Sequence, residues 1–125
     1  MKERQPMKEE NVIAEKSKRF GVRIIRLYKY MCERKKEYTM ANQILRSGTS
    51  IGANVHEAVY GQSREDFISK LSIALKEAHE TEYWLELLKE TEYIDEKQYE
   101  SMISDCTELK KLLTSIIKST KGKQP

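Results

Sequence analysis

The sequence has no proline between Pro6 and Pro125, so no internal proline interrupts a helix. It also lacks any apolar run near the ~20 residues that span a bilayer. The first ten residues, "MKERQPMKEE", lack the apolar stretch of a secretory signal. These absences predict a cytoplasmic protein with no membrane partner.

Cysteine and histidine are equally scarce, and their spacing does not suggest chemistry. Cys32 and Cys106 are far apart and have no metal-ligand spacing, so we expect two free, largely buried thiols. Helix bundles build di-iron sites from Glu-x-x-His pairs, but neither His56 nor His79 follows a glutamate by three residues. No Ser-His-Asp or Cys-His arrangement emerges either. The sequence predicts no metal, no cofactor, no catalytic residue and a protein that is not an enzyme.

What the sequence does have is one pattern, repeated four times. Apolar and small residues recur at alternating steps of three and four over 13–31, 44–58, 67–88 and 99–116, which places each set on one helix face. No comparable strand pattern exists. We predict an all-α, antiparallel up-and-down four-helix bundle that forms one domain over residues 1–125. Its expected helices are 9–36, 40–60, 64–91 and 96–119.

Helix-end signals fall in the gaps between these stripes. Both chain ends, "MKERQPMKEE" and "KSTKGKQP", have the composition of frayed termini. The internal signals, in chain order, are an N-cap at Thr39, a C-cap at Gly61, and capping boxes that pair Ser63 with Asp66 and Asp95 with Gln98.

The stretch "ILRSGTSIGANVHEA", residues 44–58, contains Gly48 and Gly52. It cannot be a Walker-type phosphate loop, because the glycines are too close, no lysine follows and no strand precedes. The apolar stripe runs through it without losing phase, so we predict a helix. Each mid-helix glycine costs about 1 kcal/mol relative to alanine. Close approach of another backbone is the usual compensation, and we expect it here.

A polar stripe lies beside the apolar stripe of this helix. Ser47, Ser50, Asn54 and Glu57 step by three, four and three, with Arg46 at the rim. A solvated helix side fits this pattern. A partly buried side that hydrogen-bonds across helices or subunits fits as well, because solvated faces favour glutamate and lysine over serine and asparagine. Arg46 is expected to pair with Glu57 or with an acid on the third helix.

Two segments, "QILRSGTSIGANVHEA" and "SREDFISKLSIALKEAHETEYWLELL", strongly resemble a bacterial four-helix-bundle family. Its founding members are encoded by intervening sequences inside large-subunit ribosomal RNA genes. The resemblance extends roughly from Phe20 to Leu113. The matching residues are Gln43, Arg46, Ser47, Ser50, Ile51, Asn54, Glu57, Phe67, Ala74, Glu80, Glu82, Trp84 and Leu85.

This resemblance implies a left-handed bundle that assembles into a ring, typically a homopentamer. It also implies a relationship to the accessory proteins of diversity-generating retroelements. Those proteins share the pentameric bundle and bind nucleic acid and a reverse transcriptase. RNA, DNA, and a reverse transcriptase or another nucleic-acid enzyme are therefore expected partners, beside further copies of the chain.

Charge is unevenly distributed along the chain. The net charge is +3 overall, but +7 over residues 1–36 and −4 over 63–94. A basic row on the first helix could follow a phosphate backbone, with an aromatic ring available to stack on bases. The alternative is a solvated face that pairs with the acidic third helix. The candidate nucleic-acid-binding residues are Lys16, Arg19, Arg23, Arg26, Tyr30 and Arg34.

The third helix has more apolar residues than one bundle face needs. Ile73, Trp84 and Leu87 lie away from its core stripe and indicate a subunit contact, with Trp84 the leading candidate. Trp84 could instead seal a broad intramolecular core. The sequence as a whole predicts a non-enzymatic homo-oligomeric scaffold that binds nucleic acid or a nucleic-acid enzyme. The alternative is a protein–protein adaptor without nucleic-acid affinity.

Overall fold

The computed structural model describes residues 8–61 and 63–122, and these form four α-helices without a strand. The predicted all-α four-helix bundle is confirmed. Helix α2 contacts both α1 and α3, while α4 packs on α3 and closes back onto α1. The α1–α4 contact is the sparsest of the four. The helices are α1 Lys8–Tyr30, α2 Tyr38–Val59, α3 Arg64–Glu90 and α4 Glu96–Gly122.

The first helix does not continue as an α-helix to residue 36. A π-helical turn, Met31–Lys35, follows α1 and ends at Lys36, whose φ of 56° is left-handed. The wider turn keeps Met31 fully buried while its carbonyl accepts hydrogen bonds from the backbone N–H groups of Lys36 and Glu37. The prediction of one regular helix over 9–36 missed this turn, since the hydrophobic spacing continues through Met31 unchanged.

Helix caps fix the other boundaries. The capping box at Asp95 is confirmed, because Asp95 and Gln98 each accept the other's backbone N–H. Of the box at Ser63 the N-cap half is confirmed, since the Ser63 hydroxyl accepts the Asp66 N–H. The N-cap of α2 is Glu37, whose carboxylate accepts the Met40 N–H at 3.0 Å, so the prediction of Thr39 is wrong.

The predicted C-cap and frayed ends also differ from the structure. The C-cap of α2 is Tyr60 rather than Gly61, because the helix ends at Val59. Of the expected frayed ends, residues 8–10 and 118–122 are helical, and residues 1–7 and 123–125 lie outside the described part.

Residues 44–58 form one continuous stretch of α2, and its two glycines meet α1. A Cβ at Gly48 would lie 2.6–2.8 Å from three side-chain carbons of the fully buried Ile24. A Cβ at Gly52 would lie 3.2 Å from the carbonyl oxygen of Ser17. The expected close approach of another backbone is confirmed at Gly52. It is wrong at Gly48, where the missing side chain makes room for the core side chain of Ile24.

One apolar core runs the length of the bundle. All four helices contribute, and the predicted stripes supply nearly all of its members. The largest fully buried side chains are Phe20, Ile13, Ile24, Met31, Ile44, Ile51, Leu71, Leu85, Leu88, Leu109, Leu113 and Val55.

Candidate interaction surfaces

The polar stripe of α2 and the surplus apolar residues of α3 meet on one side of the bundle. Ser47 is fully buried, and its hydroxyl accepts a hydrogen bond from Thr81 of α3 at 2.9 Å. Further out the polar residues become progressively exposed. We call this side the α2–α3 face. Its outer residues are Arg46, Ser50, Asn54 and Glu57 of α2 with Ile73, Glu77, Glu80, Trp84 and Leu87 of α3.

Arg46 organises the centre of the α2–α3 face. Its guanidinium pairs with Glu77 at 2.9 Å and with Glu80, both on α3, which fits the expectation of an acidic partner there. Glu57 pairs instead with Lys70, at 3.0 Å. Arg46 therefore joins two helices by charge-assisted hydrogen bonds at a partly solvated site.

Trp84 belongs to both the core and the surface. Its ring is half-buried against the core, and its indole N–H donates to the Glu80 carboxylate at 3.0 Å. That hydrogen bond, with the one from Arg46, lowers the pKa of Glu80 below its usual range despite partial desolvation. Ile73 is exposed and Leu87 is half-buried on the same side. The structure thus brings the predicted interface residues together on one face.

Trp84 offers a direct test of this network, because it is the only tryptophan. Glu80 has a folded-state pKa below its ordinary value, so its contribution to stability is present above the ordinary glutamate pKa. That contribution is lost as the pH falls through the folded-state pKa. We expect Trp84 emission to change over this acidic range. Glu80→Gln should abolish the transition and Glu77→Gln should retain it. Identical titrations in both variants would contradict the assignment.

A second surface was not anticipated from the sequence: an apolar groove between α1 and α2. It has a volume of about 790 Å³. Val22 and Ile25 are 42% and 43% exposed although both are large and apolar. Gly21 lies beside them, and a Cβ there would meet no atom within 4 Å. The lining residues include Ala14, Ser17, Gly21, Val22, Ile25, Thr49, Gly52, Ala53, His56 and Tyr60.

The presence of glycine at position 21 is not explained by contacts among the described residues. Gly48 and Gly52 are compensated by contacts with α1, but Gly21 has the same helical cost and no close neighbour. The sequence contains a pattern from which this groove could have been predicted, since Val22 and Ile25 lie off the core stripe next to a mid-helix glycine. We refer to this surface as the α1–α2 groove.

The basic row of α1 divides into paired and unpaired members. Lys16 pairs with Glu108 and Arg23 with Asp105, both on α4, while Arg19 pairs with Glu15 one turn earlier. The expectation that this row pairs with the acidic third helix is wrong, because α1 packs beside α2 and α4 but not α3. Arg26 and Arg34 make no ion pair within residues 8–61 and 63–122.

Neither the histidines nor the cysteines form a reactive centre in the described residues. No group of three His, Cys, Asp or Glu side chains there could hold a metal ion. Both cysteines are free; Cys106 is buried, as expected, but Cys32 is only half-buried. Burial raises the pKa of the Cys106 thiol to about 12, and the thiol donates to the Ala78 carbonyl at 3.3 Å. A thiol of that pKa is protonated and inert at neutral pH.

Among the described residues, no helix is long and apolar enough to cross a bilayer.

Comparison with known proteins identifies a family and a similar solved structure. A family model described as "23S rRNA-intervening sequence protein" matches residues 9–115. The crystal structure of a protein with unknown function from the S23 ribosomal protein family of Bacteroides thetaiotaomicron VPI-5482 is 63% identical, with a TM-score of 0.87. That match covers 88% of this chain and 98% of the other. No curated protein matches the chain significantly.

Proposed function

This chain belongs to the family of 23S rRNA-intervening sequence proteins, and from that premise we propose that it is a non-enzymatic, cytoplasmic, homo-oligomeric scaffold. The proposed assembly is a pentameric ring, as the family resemblance implies. Its basic helix faces bind RNA, DNA or a nucleic-acid enzyme such as a reverse transcriptase. The scaffold role rests on the surfaces that the bundle leaves uncovered.

The α1–α2 groove is the observation that carries the proposal. Val22 and Ile25 expose more than two-fifths of their surface beside Gly21, where an added Cβ would meet no packing neighbour within 4 Å among the described residues. Large apolar side chains left exposed together in a groove suit a contact that buries them. A second copy that closes the groove would bury both side chains and would use the space above Gly21 for close helix approach.

The α2–α3 face, as a contact surface in addition to the α1–α2 groove, supports a ring of copies rather than an isolated pair. The α1–α2 groove and the α2–α3 face are different surfaces on adjacent sides of the bundle, because both include α2. Contact between unlike surfaces is heterologous, and it forms a ring when the rotation closes. Adjacent sides of a four-helix bundle differ in direction by roughly a right angle. A ring closes when the two contact directions of one subunit differ by about 90° for four copies or about 108° for five, so this geometry supports a small ring, and the number five comes from the family resemblance.

Nucleic-acid binding is supported by two cations that make no ion pair with any described residue. Arg26 and Arg34 lie towards the carboxyl end of the basic row, with Tyr30 between them. A ring would repeat this cluster in every copy, and multivalent contact raises a weak affinity strongly. The adaptor without nucleic-acid affinity stays the second candidate, because Lys16, Arg19 and Arg23 are already neutralised by acids of the same chain.

Trp84→Ala tests the assembly. We expect the variant to lose at least tenfold in subunit affinity, about 1.4 kcal/mol or more, because tryptophan is a frequent interface hot spot. Mass measured by light scattering across a dilution series reports the change. Leu112→Ala is the control, since it removes a half-buried apolar side chain from α4. A Trp84→Ala protein that stays as fully assembled as Leu112→Ala would contradict the placement of Trp84 in a subunit contact.

A further inference from the structure

A cleft of about 530 Å³ lies between α1 and α4, where helix packing is sparsest. Its inner surface is apolar, formed by Leu27 and the buried Met102, with the ring of Tyr30 beside them. Its rim carries Arg23, Arg26 and Lys97. The cleft therefore combines an apolar floor with a cationic edge, whereas the α1–α2 groove is chiefly apolar.

The three rim cations are not equivalent. Arg23 is held in place: it donates to the Asp105 carboxylate at 2.6 Å, to the Ser101 hydroxyl at 2.7 Å and to the Ser101 carbonyl at 3.2 Å. Arg26 and Lys97 come from different helices and make no ion pair in the described part of the chain. Two uncompensated charges thus flank the apolar floor, which would attract an anion whose other end is apolar.

Polar groups at the cleft add hydrogen-bonding capacity. The Gln98 side chain is oriented by its own capping box, because its carbonyl oxygen accepts the Asp95 N–H at 2.8 Å. This leaves the amide NH₂ group as a hydrogen-bond donor on a residue that lines the cleft. A flat ring with hydrogen-bonding edges, attached to a phosphate, matches all three features of the cleft.

We propose that the α1–α4 cleft holds one unpaired nucleotide of a single-stranded nucleic acid. The base packs against Tyr30 above Leu27 and Met102, and the adjoining phosphates contact Arg26 and Lys97. In a duplex the bases are stacked and paired, so they cannot enter the cleft, whereas single strands present their bases to aromatic platforms. This inference rests on the nucleic-acid binding of the proposed function and narrows it to unpaired strands.

The test measures fluorescence anisotropy of labelled oligonucleotides of about 12 nucleotides at about 50 mM salt. The labelled ligands are single-stranded RNA, single-stranded DNA and a hairpin duplex. Unlabelled mononucleotide and polyglutamate are added as competitors. We expect the full-length protein to prefer single strands over duplex by about tenfold. The double variant Arg26→Gln/Lys97→Gln should lose about tenfold in single-strand affinity and should flatten the salt slope by about 1.4, which corresponds to two phosphates.

The control is Lys29→Gln/Lys111→Gln, which removes the same charge from the same two helices at exposed positions outside the cleft. It should change affinity by less than about twofold, since neither side chain lines the cleft. Tyr30→Leu should remove the preference for single strands while weak phosphate binding persists. Circular dichroism checks that Tyr30→Leu is folded. If it is not, the surface variant Arg26→Gln/Lys97→Gln alone tests the cleft.

The outcomes separate the two proposals. Binding that is equal for duplex and single strand, or equally weakened by both double variants, overturns the cleft and leaves general polyanion binding in place. Polyglutamate that competes as well as single-stranded RNA also overturns the cleft assignment. No binding to any nucleic acid at about 50 mM salt overturns both.

Discussion

The substitution Ile25→Glu is expected to convert the proposed homo-oligomer into a monomer while leaving the four-helix fold intact. Ile25 is 43% exposed and is not part of the buried core, so glutamate there remains solvated in the single chain. In an assembly that closes the α1–α2 groove, the carboxylate would be buried without a partner, which costs several kcal/mol per copy. Sedimentation velocity measures the mass, and circular dichroism measures the helix content.

Thr114→Glu is the matched control, because it adds the same charge at an exposed position on α4. It should remain assembled. If Ile25→Glu keeps the mass of the unmodified protein, the groove is not a subunit contact. If both variants dissociate, the cause is net charge and not the groove.

Replacing Gly48 with valine is expected to lower the free energy of unfolding by about 3 kcal/mol. Valine is a better helix former than glycine, so propensity alone predicts the opposite sign. A Cβ at this position would lie within 2.8 Å of Ile24, whose side chain is fully buried and has little room to move. Urea unfolding in the monomeric Ile25→Glu background measures the effect without a contribution from assembly.

Two further variants separate overpacking from other causes. Gly21→Ala, in the same background, should raise the free energy of unfolding by up to about 1 kcal/mol, because its Cβ meets no atom within 4 Å. The double variant Ile24→Val/Gly48→Val should lose less free energy of unfolding than the two single variants lose together, since the shorter valine at position 24 frees space. Additive losses, or destabilisation by Gly21→Ala, would contradict close packing as the reason for Gly48.

The fold could be predicted because its determinants are local. Apolar spacing depends on helix geometry alone, and the capping boxes at Ser63 and Asp95 use side chains three residues from the groups they satisfy. The continuity of α2 through Gly48 followed from the same spacing. In contrast, the N-cap at Glu37 and the π-helical turn after Tyr30 depend on how the chain leaves the core, and the spacing carries no sign of either.

The surfaces could be predicted only in part, because they depend on which helices become neighbours. The polar stripe of α2 and the apolar surplus of α3 were each visible, but their union around Arg46 required the packing of α2 on α3. The pairing of Arg23 with Asp105, 82 positions later in the sequence, likewise required α4 to return beside α1. Charge totals along the chain had suggested α3 instead, since they ignore this arrangement.

The mass of the unmodified protein tests the central claim most directly: that the uncovered surfaces of this bundle are contacts between copies. Sedimentation equilibrium over a range of low micromolar concentrations gives that mass without assuming a shape. We expect one closed species with a mass about five times that of the 14.7 kDa chain, unchanged on dilution. A single species at 14.7 kDa across the whole range would contradict the claim.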